Sequence, residues 1–148
     1  GHGVKRVQRT LSVKIPAGID DGMRMRVPSE GETGGPGGQR GDLQILVQVE
    51  PHPIFKRDGA HVHVQRDLTF AQASLGDELT VPTVHGEEHV HVPPGTQHGT
   101  VLRLRNRGLP RLDGHGHGDQ FITLNLTVPT SLTREQVDLM QKLRASGL

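Results

Sequence analysis

One pattern occurs twice in this 148-residue chain, without a gap and 77 positions apart, as Gly18 stands from Gly95. Ile15-Pro16-Ala17-Gly18, Gly22, Gly31, Gly41-Asp42 and Ile45-x-Val47-x-Val49 recur as Val92-Pro93-Pro94-Gly95, Gly99, Gly108, Gly118-Asp119 and Ile122-x-Leu124-x-Leu126. The apolar positions keep their parity while the residues between them drift. A duplicated β-fold requires this, because a one-residue slip would turn every side chain to the wrong face. The second copy is longer at its front, since residues 53–77 would have counterparts only before residue 1. The first module is therefore expected to lack its opening part.

Strand signals dominate. Leu11-x-Val13-x-Ile15, Met23-x-Met25-x-Val27 and Leu43-x-Ile45-x-Val47-x-Val49 alternate, as do Val90-x-Val92, Leu102-x-Leu104 and Ile122-x-Leu124-x-Leu126-x-Val128. Two segments differ. Leu68 to Leu75 carries two Ala and no Pro before Gly76, which suits one short helix closing the end of a sheet. Near the C-terminus, Thr133 with Gln136 reads as a capping box, and Leu132 with Val137 as its hydrophobic staple, so a helix should begin near Arg134. Val137, Met140 and Leu143 or Arg144 recur at helical spacing with Leu139 beside them. A helix of about three turns does not persist alone in water, so it must pack on its own module or on a second chain. The fold expected is mostly β: two tandem, similar β-sandwich-like domains at 1–51 and 52–130, then a C-terminal helix in 131–148. Glu50-Pro51-His52-Pro53 joins the modules, and its prolines should make a stiff junction at a fixed angle.

Composition narrows the function. Three Phe and no Trp or Tyr cannot build a stacking platform for single-stranded nucleic acid or an aromatic sugar-binding face. A formal net charge of +1, with both signs interspersed, gives no basic stripe for a phosphate backbone. Zero cysteines exclude disulfides and thiolate metal sites in this segment. No signal peptide and no apolar run of membrane-spanning length is seen, which fits a cytoplasmic protein. The Gly-rich connectors 31–41 and 108–118 hold no phosphate-loop pattern and read as flexible loops.

Ten histidines invite a metal reading. His61-Val62-His63 and His89-Val90-His91 put pairs on one strand face, and His115-Gly116-His117 lies in the second Gly-rich connector. A zinc site needs further ligands and outer acceptors, so solvated strand histidines are the plainer expectation. Ser12, Ser29, Ser74, Ser131 and Ser146 lie in no nucleophile-elbow pattern, and Asp20-Asp21 reads as a turn before Gly22. Catalysis is not indicated.

Several segments, in order and spacing, resemble the C-terminal region of bacterial DnaJ-type co-chaperones. They are Lys14-Ile15-Pro16-Ala17-Gly18-Ile19-Asp20-Asp21-Gly22-Met23-Arg24, Gly41-Asp42-Leu43, and His52-Pro53-Ile54-Phe55-Lys56-Arg57-Asp58-Gly59. The match continues through Ala71-x-x-x-Leu75-Gly76-Asp77-Glu78 and Val81-Pro82-Thr83 to Pro93-x-Gly95-Thr96-Gln97. One departure is His61-Val62, where the family usually has Asp-Leu after the turn.

The resemblance implies a non-enzymatic fragment that holds exposed apolar segments of unfolded polypeptides, delivers them to DnaK, and forms a homodimer through its C-terminal helix. By position Ile45 matches a groove-lining residue of the family, with ordinary core as the competing reading. Leu43, Met23 and Met25 are further candidates for client binding. For dimerisation the candidates are Val137, Leu139, Met140 and Leu143. Gly1-His2-Gly3 looks like the tail of a Cys-x-x-Cys-x-Gly-x-Gly repeat, or else an expression-tag remnant. No cofactor is expected in the fragment itself, with zinc possible in an upstream cysteine-rich module. No His-Pro-Asp occurs, so no J-domain activity is expected here. Two other readings stay open: a histidine-based metal-binding β-protein, and a passive structural repeat module.

Overall fold

The computed structural model describes residues 10–28 and 41–148. Among them the chain forms, in order, β1 (Arg24–Val27), β2 (Leu43–Leu46), β3 (Lys56–Asp58), β4 (His61–Thr69), α1 (Phe70–Leu75), β5 (Asp77–Thr83), β6 (Gly86–Val92), β7 (Val101–Leu104), β8 (Gln120–Thr127) and α2 (Arg134–Ala145). The protein is mostly β, as its alternating pattern requires, with several sheets and a C-terminal helix. β1 pairs with β2 and β5 with β6, both antiparallel, and a further sheet has the order β3-β4-β8-β7. The chain divides into two compact units, Gly1–Val62 with Arg105–Gln120, and His63–Leu104 with Phe121–Leu148.

The second unit holds most of the buried side chains. Val64 and Leu68 of β4, Leu79 and Val81 of β5, Val90 and Val92 of β6, and Ile122 and Leu124 of β8 are all buried, each pair on one face of its strand. Each such side chain contributes about 1.5–3 kcal/mol by leaving water. The short helix begins later than its composition suggests. Leu68 is fully buried as a strand residue, and Thr69 caps α1, accepting the Gln72 N–H at 3.1 Å while the Gln72 side chain accepts the Thr69 N–H at 3.0 Å. The second helix starts where its capping box places it. Thr133 accepts the Gln136 N–H at 3.2 Å, and Gln136 Oε1 accepts the Thr133 N–H at 2.9 Å. Glu135 in its first turn and Lys142 and Arg144 in its last complement the helix dipole.

In the first unit, β1 and β2 form a two-stranded ribbon with Met25 opposite Ile45 and Val27 opposite Leu43. Leu11-x-Val13-x-Ile15 departs from expectation: residues 10–15 form no strand, because no ladder partner lies beside them among the described residues. Segment 108–118 also differs, being a laddered loop. Gly108 N–H donates to Gly118 O and Gly118 N–H to Leu109 O, both at 2.9 Å, and Pro110 bridges His117. Both glycines are needed for packing, since a Cβ on Gly108 or Gly118 would meet Ala60 O at 2.4 or 2.2 Å. Residues 31–40 of the first Gly-rich connector, and Gly1-His2-Gly3, lie outside the described residues.

Candidate functional site

The duplicated pattern is a duplicated set of hydrogen bonds. In the first copy Gly22 N–H donates to Val47 O at 2.9 Å, Val47 N–H to Met23 O at 2.8 Å, and Met23 N–H to Asp20 O at 3.3 Å. In the second, Gly99 N–H donates to Leu124 O at 2.8 Å, Leu124 N–H to Thr100 O at 2.8 Å, and Thr100 N–H to Gln97 O at 3.2 Å. Every partner is displaced by the same 77 positions, as Gly22 is from Gly99. Even the side-chain acceptor is shared in function. Asp21 Oδ1 accepts the Val49 N–H at 2.8 Å, and His98 Nδ1 accepts the Leu126 N–H at 2.9 Å. Asp20-Asp21 is thus a turn element, as its place before Gly22 suggests.

On this common frame the first copy presents a partly open apolar face. Met25 and Val27 of β1, with Leu43, Ile45 and Val47 on and beyond β2, are half-buried, while Arg24, Arg26, Gln44, Leu46 and Gln48 alternate with them and are exposed. The counterparts of Ile45 and Val47 are Ile122 and Leu124, at 0% and 1% exposure. The neighbours explain this difference. β8 lies between β4 and β7, whereas β2 has β1 alone beside it among the described residues. Of the four apolar residues singled out in the sequence, Leu43, Ile45 and Met25 share this face. Met23 lies just outside β1; its sulfur accepts the Asp20 N–H at 3.4 Å, and it lines a small concavity with Arg57, Pro110 and Leu112. Val27 and Val47 belong to the face and were detectable by their parity with Met25 and Ile45.

Such a face can hold aliphatic or aromatic side chains by contact and exclusion of water, without regard to their order. Its polar margin is ordinary: Arg26 pairs with Asp42 at 3.1 Å, both well exposed, an arrangement that contributes little.

A second apolar surface lies along α2. None of its residues is buried, and Val137, Met140 and Leu143 line a concavity of about 530 Å³ together with Phe70, Val128 and Leu132. Leu132 and Val137 stand together there, as a staple pair would. Leu139 is not part of that lining and is 53% exposed. Phe70 and Leu148 also line the concavity and carry no signal in the helix pattern, because Phe70 belongs to α1 and Leu148 lies beyond the end of α2.

The histidines are engaged in structural roles. His61 and His63 are half-buried, unlike the solvated pair expected. His61 Nδ1 accepts the Asp119 N–H at 3.0 Å, and the His63 ring stacks on Phe121 with centroids 5.2 Å apart. His89 meets Thr80 at 3.1 Å, and His91 Nδ1 meets Glu78 Oε1 across the β5–β6 ladder. Among the described residues, no group of three or more His, Asp or Glu side chains could hold a metal ion. Nor is any helix among them long and apolar enough to cross a membrane.

The fold is thus a repeated β frame whose first copy offers a partly open apolar face. Residues 3–129 match the family described as "DnaJ C terminal domain", and the chain belongs to that family. Among its relatives, the "Chaperone protein DnaJ" of Bacillus cereus (strain B4264) is 47% identical over 142 residues, covering 96% of this chain. Those of Oceanobacillus iheyensis and Parageobacillus thermoglucosidasius are 45% and 46% identical over 147 residues. The chain spans 38% of the Bacillus cereus protein and 39% of the other two. These relatives are named as chaperones and not as enzymes.

Proposed function

We propose that this chain is the client-holding and self-associating part of a DnaJ-type co-chaperone. The observation that carries the reading is the half-buried face of Met25, Val27, Leu43, Ile45 and Val47, set on a hydrogen-bonded frame whose second copy buries Ile122 and Leu124 where the first leaves Ile45 and Val47 half-buried. On this reading, apolar segments of unfolded polypeptides pack against Ile45 and its neighbours, and a whole protein of this kind passes them to DnaK in the cytoplasm. Low sequence specificity follows from the chemistry, because aliphatic contact rewards size and apolarity and not order. No metal or cofactor is assigned to this segment.

The C-terminal helix takes the second role. An amphipathic helix with no buried residue gains its stability by covering its apolar side, and a second copy of the chain supplies a matching surface to Val137, Met140 and Leu143. Leu139, 53% exposed and outside the lining of that concavity, is assigned to the same contact.

Two experiments test the proposal. The chain should suppress light scattering from an aggregating unfolded protein in a dose-dependent way; no suppression at any ratio would contradict client holding. Multi-angle light scattering should give a dimer for residues 1–148 and a monomer when 131–148 are deleted. The same mass for both would contradict self-association through the helix.

A further inference from the structure

The loop that carries the β1–β2 ribbon is held by one side chain from another part of the first unit. Arg57, in β3, donates from Nη1 to Ile19 O, from Nη2 to Gly18 O and from Nε to Gly59 O, each at 2.8 Å. Its Nε also lies 3.4 Å from Asp20 Oδ1, with the Arg57 side chain 22% exposed. The planar guanidinium fork can meet these carbonyls and the carboxylate at once, which a lysine ammonium cannot.

The bonds continue into the candidate client face. Residues 18 and 19 lead through the Asp20–Met23 turn to Gly22, whose N–H is bound by Val47 O, and to Asp21, whose carboxylate binds the Val49 N–H. Val47 is the immediate extension of the strand that carries Ile45. Backbone contact reinforces the link: a Cβ on Gly18 would meet Pro110 O at 2.5 Å and Leu112 N at 2.8 Å. In the second copy the equivalent loop is held differently, through Gly95 N–H and Thr96 N–H donating to Ala73 O at the end of α1, at 2.9 and 3.0 Å. The anchor of the first copy is therefore a side chain, where that of the second is main chain.

We infer that Arg57 is a positioning residue for the client-holding ribbon, fixing the loop from which β1 and β2 project without itself touching a client. The inference rests on the client-holding reading for its functional part. Its structural part stands on the carbonyl contacts alone.

The test uses the chain 1–148 with Arg57→Met, Arg57→Lys and Ile45→Ser. Amide hydrogen exchange reads local opening, and the anisotropy of fluorescein-labelled, reduced and carboxymethylated α-lactalbumin reads binding of a permanently unfolded polypeptide. Both Arg57 variants should raise exchange at Gly22, Val47 and Val49 by about tenfold or more while β5–β6 keeps its protection, since local openings need not involve the whole fold. Both should weaken polypeptide binding by about three- to tenfold, and lysine should not rescue, because it cannot span the carbonyls. Unchanged exchange at Val47, loss of protection spread equally over β5–β6, or faster local exchange with unchanged affinity would each overturn the assignment. Ile45→Ser separates the two readings. If it leaves affinity unchanged the client face is refuted, and the exchange results still judge the anchoring role of Arg57.

Discussion

Residues 18–49 and 95–126 share a hydrogen-bonded frame but differ in what surrounds it. In the later copy, β8 has a strand on each side, and Ile122 and Leu124 leave water completely. In the earlier copy, Ile45 and Val47 hold the same places on β2 and its extension and stay half-buried. Among the described residues the two copies match in these hydrogen bonds and differ in how far Ile45 and Val47, against Ile122 and Leu124, are covered.

Substitutions at paired positions sharpen that contrast. The largest difference is expected in the core: Ile122→Ala should cost about 4 kcal/mol in urea unfolding, and Ile45→Ala about 1.5 kcal/mol, because only the former leaves a closed cavity. Equal costs would mean that the two faces are equally covered. Next come the loop glycines, both at positive φ, +85° at Gly18 and +80° at Gly95. Gly95→Ala has open space around it and should cost about 1 kcal/mol of backbone strain. Gly18→Ala should cost about twice that or more, since it adds the collision with the Pro110 carbonyl. The smallest effect tests the shared acceptor. Asp21→Ala and His98→Ala should each cost about 1 kcal/mol, and asparagine at either place should recover most of it by keeping an acceptor near the same amide. Loss at one site alone would show that the two turns are not equivalent.

Much of this arrangement was legible in the chain. Parity of apolar residues located β1, β2, β6, β7 and β8, and the Thr133 and Gln136 pair located α2, because strand period and helix caps are local properties. Leu11-x-Val13-x-Ile15 shows the limit of such evidence: alternation prepares a strand, but a ladder needs a partner, which local pattern does not supply. The loop 108–118 looked loose for a related reason. Its glycines are spaced to fit around Ala60, a contact between distant segments that composition reads as flexibility. His61 gave no local signal of its bond to Asp119, nor Arg57 of its bonds to residues 18 and 19, for each joins parts of the chain far apart in sequence. For the candidate site, Leu43, Ile45 and Met25 were found by alternation together with the family resemblance. How much of their face lies open depends on the neighbouring strands, and that only the folded arrangement displays.

The central claim is that the half-covered face of the first copy, not the frame, binds unfolded polypeptide. Its most direct test is the affinity of the chain for reduced, carboxymethylated α-lactalbumin before and after Ile45→Ser, with urea unfolding of both proteins as control. The account predicts affinity weakened by about tenfold, the loss of roughly one well-placed apolar contact, with a far smaller loss of folded stability than Ile122→Ser causes at the paired position. Unchanged affinity in a folded Ile45→Ser protein would contradict it.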